Sequence, residues 1–579
     1  MIKNTFKTAL FLTPILVLVA VTSCRRYHEP PPYFEENTDT VRPASRKLLI
    51  IGVDGGVGSE VKAIAPPVLQ GLKSHSKYTW EGVSDEATTS AASWKTLMTG
   101  ISYSRHQIKD STFIYTQPSG GSQHEAPPIF PSFFSYILGS ARSDLKTSFI
   151  TSWETLLNRL VPEVEDKVLA ANDVAVKDSA VQRLKNGRQD LVVVNFSSVA
   201  AAGLQHGFSA SADGYKQAVL NVDQYIGELM TALKSRPEYN KSEEWLVIIT
   251  GTHGGINKTF GGPSEKETNV FSFFYNERMT GKELVKGGAF SGVQMKGRDA
   301  AAVRAQVLND GGLYNPGTGQ QTIQIKIKGT GPGAYPHFFS KAERFASTPG
   351  WTFFTSGANW AFSLRSTTSG ERRIQAETGN VFDDRWHTLT VVIFDSAGGR
   401  WVKRFTDGRR IADVTNTVNL GAAYGSIESA SPLTIGWGAD PGYNGVTFFS
   451  ADATIFNTAL TDQEVVNNLC LKDITQHPKY NNIIGYWPGN DGFGGRFRNK
   501  APNRNLDATL QGPFQWTGVA DMPCTIAATP TDPNMTSLFV KGVDIATTAF
   551  YWLRIPTATT WGLEGGTWLQ QYEIEFVKL

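Results

Sequence analysis

Two side chains with metal-binding or catalytic chemistry follow apolar runs of this 579-residue chain. Residues 48–53 form one such run, which ends in Asp54 and two glycines, and residues 244–250 contain another, shortly before His253. Buried parallel strands have this composition, and open α/β sheets bind their ligands at the carboxyl ends of the strands. Carboxylate oxygens and imidazole nitrogens are donors that divalent cations require. Asp54 is therefore a candidate ligand-binding residue, with a turn or a helix cap as the alternative.

The elements around these positions alternate between strand and helix signals. Residues 190–196 have the composition of a buried strand, residues 214–233 carry apolar side chains at helical spacing, and residues 244–250 form the next strand signal. This βαβ rhythm predicts a mostly parallel sheet with helices on both faces. A chain of this length is too long for one core, so two or three domains are expected.

Two segments, 47–56 and 87–100, resemble the alkaline phosphatase superfamily in its type I phosphodiesterase/nucleotide pyrophosphatase branch. In that branch an Asp at the end of a strand is a metal ligand, and a Thr or Ser that opens a helix is the nucleophile. The resemblance implies an alkaline-phosphatase-like α/β fold over residues 47–280. It also implies that Asp54 is a metal ligand and that Ser90 is the nucleophile.

The reaction implied by the resemblance uses two metal ions about 4 Å apart, held by Asp and His side chains. The second Asp and His of the family pattern should follow the strand 190–196. Gly203 and Gly207 set the register there, and in that register Ala200 replaces the Asp and Leu204 replaces the His. The nearby His206 is two residues late and is expected at the surface, with partial rescue of the site as the alternative.

The remaining ligand positions are also altered. The Asp-His pair after the third strand has become Thr252-His253, and the last His of the pattern has become Phe260. The lost ligand positions are Ala200, Leu204, Thr252 and Phe260. The residual set is Asp54, Ser90 and His253.

A residual set with one carboxylate and two neutral ligands is expected to bind metal weakly, because lost ligands cost several orders of magnitude in affinity. Without a cation, Ser90 keeps an ordinary alcohol pKa and is a poor nucleophile. We therefore predict a pseudoenzyme without a cofactor, in which apolar side chains fill the former metal cavity. If the residual site is occupied, zinc or manganese is expected.

Residues 320–470 have short alternating strands and many Gly and Ser turns, which predicts an all-β jelly roll. The segment 383–388 and the Asp407-Gly408 turn resemble a laminin G-like, concanavalin-type domain. Such domains recognise glycans or proteins. Three aromatic residues are candidates for stacking on sugar rings, with burial in the core as the alternative: Trp360, Trp437 and Tyr443.

Residues 471–530 add a β segment similar to an uncharacterised C-terminal region of Bacteroidetes-type lipoproteins. Residues 536–579 resemble the closing part of the phosphodiesterase domain, so we predict that the jelly roll is inserted into that domain rather than placed in tandem. Cys470 and Cys524 are the cysteines left after the N-terminal segment, and the sequence leaves their pairing open.

Residues 1–24 have the pattern of a lipoprotein signal peptide, with lysines, a short apolar stretch and the sequence Val-Thr-Ser before Cys24. We predict lipidation of Cys24, with an ordinary secretory signal or an uncleaved anchor as alternatives. Residues 25–46, with three consecutive prolines, are predicted to form an extended linker. The predicted location is the cell envelope, as an outer-membrane lipoprotein.

A net charge of +2 over the chain provides no electrostatic basis for binding nucleic acid. The leading hypothesis is a lipid-anchored protein with a degenerate phosphodiesterase-like scaffold and a jelly roll that binds a glycan or a protein. One alternative is an active metal-dependent phosphodiesterase or phosphatase with Ser90 as nucleophile. The other is a structural subunit of an outer-membrane transporter or assembly complex.

Overall fold

The computed structural model describes residues 44–115, 128–288, 290–330, 335–342, 348–375, 379–410, 417–438, 445–502, 506–526 and 529–576. The predicted signal peptide with Cys24, most of the linker and the aromatic candidate Tyr443 lie outside these ranges. Within the ranges, no helix has the length and apolar character needed to cross a membrane.

The strands of the described residues fall into a first group from the N-terminal half and a second group from the rest of the chain. The first group is β1 (Ser45–Asp54), β2 (Ser76–Val83), β3 (Thr147–Thr151), β4 (Asp166–Leu169), β5 (Leu191–Phe196), β6 (Glu243–His253), β7 (Asn269–Tyr275) and β8 (Lys282–Val285). The second group is β9 (Phe290–Met295), β10 (Arg304–Val307), β11 (Gln321–Thr330), β12 (His337–Lys341), β13 (Gly350–Ser356), β14 (Asn359–Arg365), β15 (Arg372–Gln375), β16 (Asp383–Ser396), β17 (Gly399–Thr406), β18 (Thr417–Asn419), β19 (Leu433–Ile435), β20 (Thr447–Phe456), β21 (Ile483–Trp487), β22 (Arg496–Phe497), β23 (Ala508–Gln511), β24 (Trp516–Val519) and β25 (Met535–Ser537).

The helices of the described residues are α1 (Gly58–Ile64), α2 (Pro67–Leu72), α3 (Ser90–Thr99), α4 (Tyr103–His106), α5 (Phe133–Leu138), α6 (Asp173–Asn186), α7 (Ser198–His206), α8 (Asp213–Lys234), α9 (Glu265–Thr268), α10 (Asp462–Asn467), α11 (Asp544–Trp552) and α12 (Glu573–Phe576). α8 extends the predicted helix 214–233 by one residue at each end. Its buried residues Tyr215, Val219, Val222 and Ile226 recur every three or four positions, which places them on one face.

The central sheet has nine strands in the order β25-β8-β2-β7-β6-β1-β5-β3-β4. β1 pairs in parallel with β5 and β6, and β3 pairs in parallel with β5 and β4. β7 is antiparallel to β6 and β2, whereas β8 is parallel to β2. The sheet is therefore mostly parallel, and the predicted fold class is confirmed.

Both faces of this sheet are covered, as the apolar composition of β1 predicts. Leu48 and Ile50 pack into one core, which also contains residues of α3 and α11. Leu49 and Ile51 pack into a second core, which contains residues of α6 and α8. Successive side chains of a strand point to opposite faces, so an unbroken apolar run requires helices on both sides.

Apart from β25, the second strand group forms two antiparallel sheets that enclose one core. The sheet orders are β15-β14-β13-β12-β19-β10-β23-β22 and β18-β17-β16-β11-β20-β9-β24, with β21 added beside β20. Apolar side chains of β11 and of β13 meet in the core between them. The sheets take strands from 290–307 and 483–519 as well as from the predicted range 320–470. These extra strands are short and pair with strands that are distant in sequence, as β10 does with β19 and β23. The alternation of apolar and polar residues within each strand is therefore too short to reveal them.

The chain returns to the central sheet after the β-sandwich. β25 pairs in parallel with β8 at one edge of the sheet. α11 packs against α3. The indole Nε1 of Trp552 donates a hydrogen bond of 2.8 Å to the carbonyl of Lys47. Residues 535–576 and residues 45–285 therefore pack against each other around the same sheet.

Cys470 and Cys524, whose pairing the sequence leaves open, form a disulfide with their Cα atoms 5.0 Å apart. The bond joins the segment after α10 to the segment that leads toward β25. It closes a loop across 54 positions of the sequence, which restricts the unfolded chain and so stabilises the folded one.

His387 in β16 lies between two carboxylates of the sandwich. Its Nδ1 is 2.8 Å from Asp407 Oδ2, and its Nε2 is 3.0 Å from Asp383 Oδ1. The hydrogen bond with Asp407 and then that with Asp383 raise the pKa of His387, although burial acts in the opposite direction. A raised pKa in the folded state means that the stabilisation is complete below the usual His pKa of about 6.5 and is lost as the pH rises through the raised value.

We therefore expect the melting temperature of the protein to fall between about pH 6 and pH 8. His387→Gln should lower stability at pH 6 and show a smaller fall over the same pH range. Thermal unfolding followed by circular dichroism at several pH values measures both effects. If the melting temperature changes equally with pH in the variant and in the unaltered protein, His387 is not the source of the pH dependence.

Candidate functional site

Asp54 ends β1 at the carboxyl edge of the central sheet and is 3% exposed. Its Oδ1 accepts two hydrogen bonds, one of 2.9 Å from Trp94 Nε1 and one of 2.6 Å from Thr252 Oγ1. Thr252 belongs to β6, which pairs with β1, and Trp94 belongs to α3 on one face of the sheet. The carboxylate is thus held by two donors of the protein itself.

Burial raises the pKa of Asp54. The neighbouring His253 and then the donors Thr252 and Trp94 lower the pKa of Asp54 and oppose that effect. The ionised carboxylate is therefore costly at this position, and its donors offset part of the cost.

Ser90 and His253 form a hydrogen-bonded pair. Ser90 is the first residue of α3, and its Oγ lies 3.0 Å from Nε2 of His253. The other ring nitrogen, Nδ1, lies 2.8 Å from the carbonyl oxygen of Gly254. A carbonyl can only accept, so Nδ1 carries the proton in the neutral ring, and Nε2 accepts the hydrogen bond that the Ser90 hydroxyl donates.

His253 is fully buried, and burial lowers its pKa although the nearby Asp54 raises it. The ring of Phe260 lies against the His253 ring, with centroids 4.3 Å apart. Phe208 in turn meets Phe260 edge to face at 6.0 Å. One lost ligand position therefore carries an aromatic ring that covers the imidazole.

Two further lost positions, Ala200 and Leu204, lie four residues apart on α7. Ala200 is buried, and its backbone lies so close to Gly55 that a Cβ on Gly55 would be 2.6 Å from the Ala200 Cα. Leu204, by contrast, is 46% exposed. The prediction that apolar side chains fill the former metal cavity is therefore wrong for Leu204, because it lies in the exposed last turn of α7, where residues 204–206 are all exposed. His206, at the end of α7, is exposed as expected.

The residues present do not fit a pair of metal ions. Asp54 Oδ1 already accepts from Trp94 and Thr252, and Ala200, Leu204 and Phe260 have no donor atoms in their side chains. Across the described ranges, no group of three or more His, Cys, Asp or Glu side chains is arranged to hold a metal ion. Metal sites in proteins need several such ligands around one point.

Sequence reasoning missed Trp94, whose indole Nε1 donates to Asp54 Oδ1. Trp94 follows Ser90 by four residues, so one helical turn places both side chains on the same side of α3. The indole also packs over Gly52, where a Cβ would lie 2.5 Å from the ring. This four-residue spacing from Ser90 was the feature of the sequence that could have placed Trp94 near the site.

A second buried polar cluster lies on α3 and was also missed. The Thr96 hydroxyl donates to Asp85 Oδ2 at 2.6 Å, and His106 Nε2 lies 3.0 Å from the same hydroxyl. The backbone N–H of Ile108 donates to His106 Nδ1, so Nε2 carries the proton. Burial lowers the pKa of His106 to about 3 and raises the pKa of Asp85 to about 7.

Two aromatic candidates of the jelly roll lie away from solvent. Trp360 is 0% exposed, stacks on Phe353 with centroids 5.3 Å apart, and donates from Nε1 to Thr406 Oγ1. It is a core residue, because the indole fills the space between the two sheets and its polar edge is satisfied there. Trp437 is 8% exposed and has the Arg304 guanidinium 5.4 Å from its ring centroid. The stacking role predicted for Trp360 is therefore incompatible with its burial.

Two parts of this chain match known families. Residues 121–310 match the family described as type I phosphodiesterase/nucleotide pyrophosphatase. This chain contains a phosphodiesterase-like region. Residues 473–569 match a domain of unknown function, DUF4983. The two matches confirm the resemblance to the alkaline phosphatase superfamily and to an uncharacterised C-terminal region.

The two matched ranges differ in extent from the ranges predicted from the sequence. The phosphodiesterase match runs past residue 280 to residue 310, into the first strands of the sandwich. The DUF4983 match runs from residue 473 to residue 569 and so includes both the β segment and α11. No curated protein matches the chain.

Several solved structures are similar to this chain at low identity. A 2-O GAG sulfatase has 12% identity and a TM-score of 0.33, with 41% of this chain and 65% of that chain covered. The murine ectonucleotide pyrophosphatase/phosphodiesterase 5 has 14% identity and a TM-score of 0.28, with 36% and 57% covered. The lipoteichoic acid synthase LtaP from Listeria monocytogenes has 14% identity and a TM-score of 0.29, with 42% and 68% covered. This chain therefore spans less than two thirds of the first structure, and these similarities support no conclusion about activity.

Proposed function

We propose that this protein is a cell-envelope binding protein whose phosphodiesterase-like region serves as a scaffold and does not catalyse the metal-pair reaction of its relatives. The observation that carries the proposal is the hydrogen bonding of Asp54, whose Oδ1 accepts from Trp94 and Thr252. A buried carboxylate that is satisfied by core donors acts as a structural acceptor. The replaced ligands at Ala200, Leu204 and Phe260 support the same conclusion.

The binding role is supported by the large β-sandwich joined to this scaffold. Two antiparallel sheets provide extended surfaces and loops, and glycans or proteins are the ligands expected for such a domain. The proposed outer-membrane location rests on the pattern before Cys24. Metabolic labelling with palmitate tests the anchor, since Cys24→Ser should abolish incorporation of the label.

The scaffold proposal is tested by metal content and by turnover in the same preparation. Elemental analysis of the purified protein should find zinc and manganese well below one ion per chain. Hydrolysis of a nitrophenyl phosphodiester should stay at background with either metal added. A variant that carries Ala200→Asp, Leu204→His, Thr252→Asp and Phe260→His is the matched control and should gain zinc. Two stoichiometric ions on the unaltered protein would contradict the proposal.

Hydrolysis with Ser90 as nucleophile is a second candidate function, because the Ser90 hydroxyl donates to His253 Nε2 at 3.0 Å. In the first step the Ser90 oxygen bonds to the electrophile, its proton passes to Nε2, and the protonated ring gives a proton to the leaving oxygen as the bond between that oxygen and the electrophile breaks. Water then attacks the Ser90 ester, giving its proton to Nε2, and the ring returns that proton to the Ser90 oxygen as the product leaves. A fluorophosphonate probe would bond to Ser90 with loss of fluoride. Chelator-resistant labelling that disappears in Ser90→Ala would support hydrolysis, and absence of labelling would remove this candidate.

A further inference from the structure

A cleft of about 420 Å³ lies between the phosphodiesterase-like region and the C-terminal segments. Three parts of the chain line it, and they are far apart in sequence. Ser84, Asp85 and Ser102 come from the first part, Phe493, Phe514 and Trp516 come from the sandwich, and Lys541 and Glu564 come from the closing segment. Sites for small ligands often lie where separate parts of a chain meet.

The two sides of the cleft are held together by polar contacts of Glu86. The carboxylate of Glu86 accepts from Gly495 N and Arg496 Nε, both at 3.2 Å. Gly494 has a φ of 74°, and a Cβ there would lie 2.8 Å from Glu86 Oε2. Glycine is thus needed for the sandwich loop to approach the scaffold this closely.

Two carboxylates of the cleft are fixed by adjacent backbone donors at the start of α4. Tyr103 N donates to Asp85 Oδ2 at 2.6 Å, and Ser102 N donates to Glu564 Oε2. Glu564 also lies 3.5 Å from Arg105. Asp85 is 1% exposed and also accepts from Glu86 N and Thr96 Oγ1, so it is a buried anchor of this side of the cleft. Glu564 is half-buried, and its orientation is set before a ligand arrives while it retains lone pairs for further hydrogen bonds.

Aromatic rings form the opposite side of the cleft. Trp516 is half-buried, meets Phe497 edge to face at 5.7 Å, and donates from Nε1 to the carbonyl of Gly494 at 2.8 Å. Phe493 has the Arg498 guanidinium 4.9 Å from its ring centroid. These contacts fix the rings, so their faces offer apolar area at little cost in conformational entropy.

We infer that this cleft binds a saccharide, with ring faces packed against Phe514 and Trp516 and hydroxyls donating to Glu564. Aromatic rings beside a fixed carboxylate match a ligand that is apolar on its ring faces and hydroxylated at its edges. This inference rests on the proposed binding function.

The inference is tested with the full chain on a panel of immobilised dextran, xylan, mannan, hyaluronan and chondroitin sulfate. Phe514→Ala and Trp516→Ala should each weaken binding of the recognised polysaccharide about tenfold or more, since buried aromatic contacts dominate such sites. Using two separate variants keeps the test valid if Trp516→Ala does not fold. A melting temperature equal to that of the unaltered protein shows that a variant is folded. Trp401→Ala, in the sandwich, is the matched control and should bind normally, and Trp437→Ala tests the other aromatic candidate.

The outcomes separate this inference from the function on which it rests. Binding that is lost only in the two cleft variants supports the cleft. Binding that survives both of them, or that is lost in Trp437→Ala instead, overturns the cleft but leaves the binding function in place. Failure of the unaltered protein to bind any polysaccharide overturns the saccharide cleft, whereas its scaffold role is judged separately by metal content.

Discussion

Substituting Asp54 with alanine is expected to lower the free energy of unfolding by about 2–4 kcal/mol. The change leaves two buried donors, Trp94 Nε1 and Thr252 Oγ1, without the acceptor that they share. Each buried unsatisfied donor costs about 1–3 kcal/mol, and relief of the buried charge offsets part of the sum. Urea unfolding at neutral pH, followed by circular dichroism, measures the difference.

Asp54→Asn is the matched control for this substitution. Burial raises the pKa of Asp54, so the ionised carboxylate costs stability at pH values above the usual Asp pKa of about 4. Asparagine removes the charge and keeps a carbonyl oxygen that can accept from both donors. Its stability should therefore lie within about 1 kcal/mol of the unaltered protein or above it.

A metal centre would behave in a different way. Both Asp54 substitutions would then reduce metal content alike, and chelator would destabilise the unaltered protein to the level of the variants. A chelator effect of that kind would contradict the structural role assigned here to Asp54. Equal stabilities for the alanine and asparagine variants would contradict the hydrogen-bonding argument.

Replacing Trp552 with alanine is expected to cost about 3–5 kcal/mol. The side chain is fully buried, its indole donates to the Lys47 carbonyl at 2.8 Å, and its ring lies 4.7 Å from the Arg46 guanidinium. Phe576 also packs against it, with centroids 5.3 Å apart. The substitution therefore removes a large apolar volume and leaves a carbonyl at the start of β1 without this donor.

Trp561→Ala provides the comparison, because Trp561 is only half-buried and stacks on Tyr136 at 4.2 Å. We expect it to cost about 1–2 kcal/mol less than Trp552→Ala, since the cavity left behind is open to solvent. Urea unfolding of both variants measures this difference. A cost below about 1 kcal/mol for Trp552→Ala would show that the last helices are not part of the cooperative unit around the central sheet.

Local patterns of the sequence were sufficient for the main elements of the scaffold. The unbroken apolar run of β1 predicted a strand buried on both faces, and its alternate residues do enter two separate cores. The predicted helix 214–233 differs from α8 by one residue at each end. Periodicity is a property of neighbouring residues, so it can be read without knowing which strands pair.

The resemblance also placed Ser90 at the start of a helix and His253 at the end of a strand, and the structure brings their side chains to 3.0 Å. It could not show that Trp94 donates to Asp54, nor that Thr252 uses the same oxygen. Thr252 follows Asp54 by 198 positions, and only the pairing of β1 with β6 brings them together.

Residue identity by itself determined which ligand positions have lost their donor atoms, because alanine, leucine and phenylalanine side chains have none to offer a cation. Tertiary structure decided where those side chains lie: Phe260 covers His253, whereas Leu204 is exposed and Trp360 is buried. A side chain's type sets its chemistry, but its exposure depends on elements that are distant in sequence and pack against it. The cleft beside Asp85 arises in the same way, from three segments that no local pattern connects.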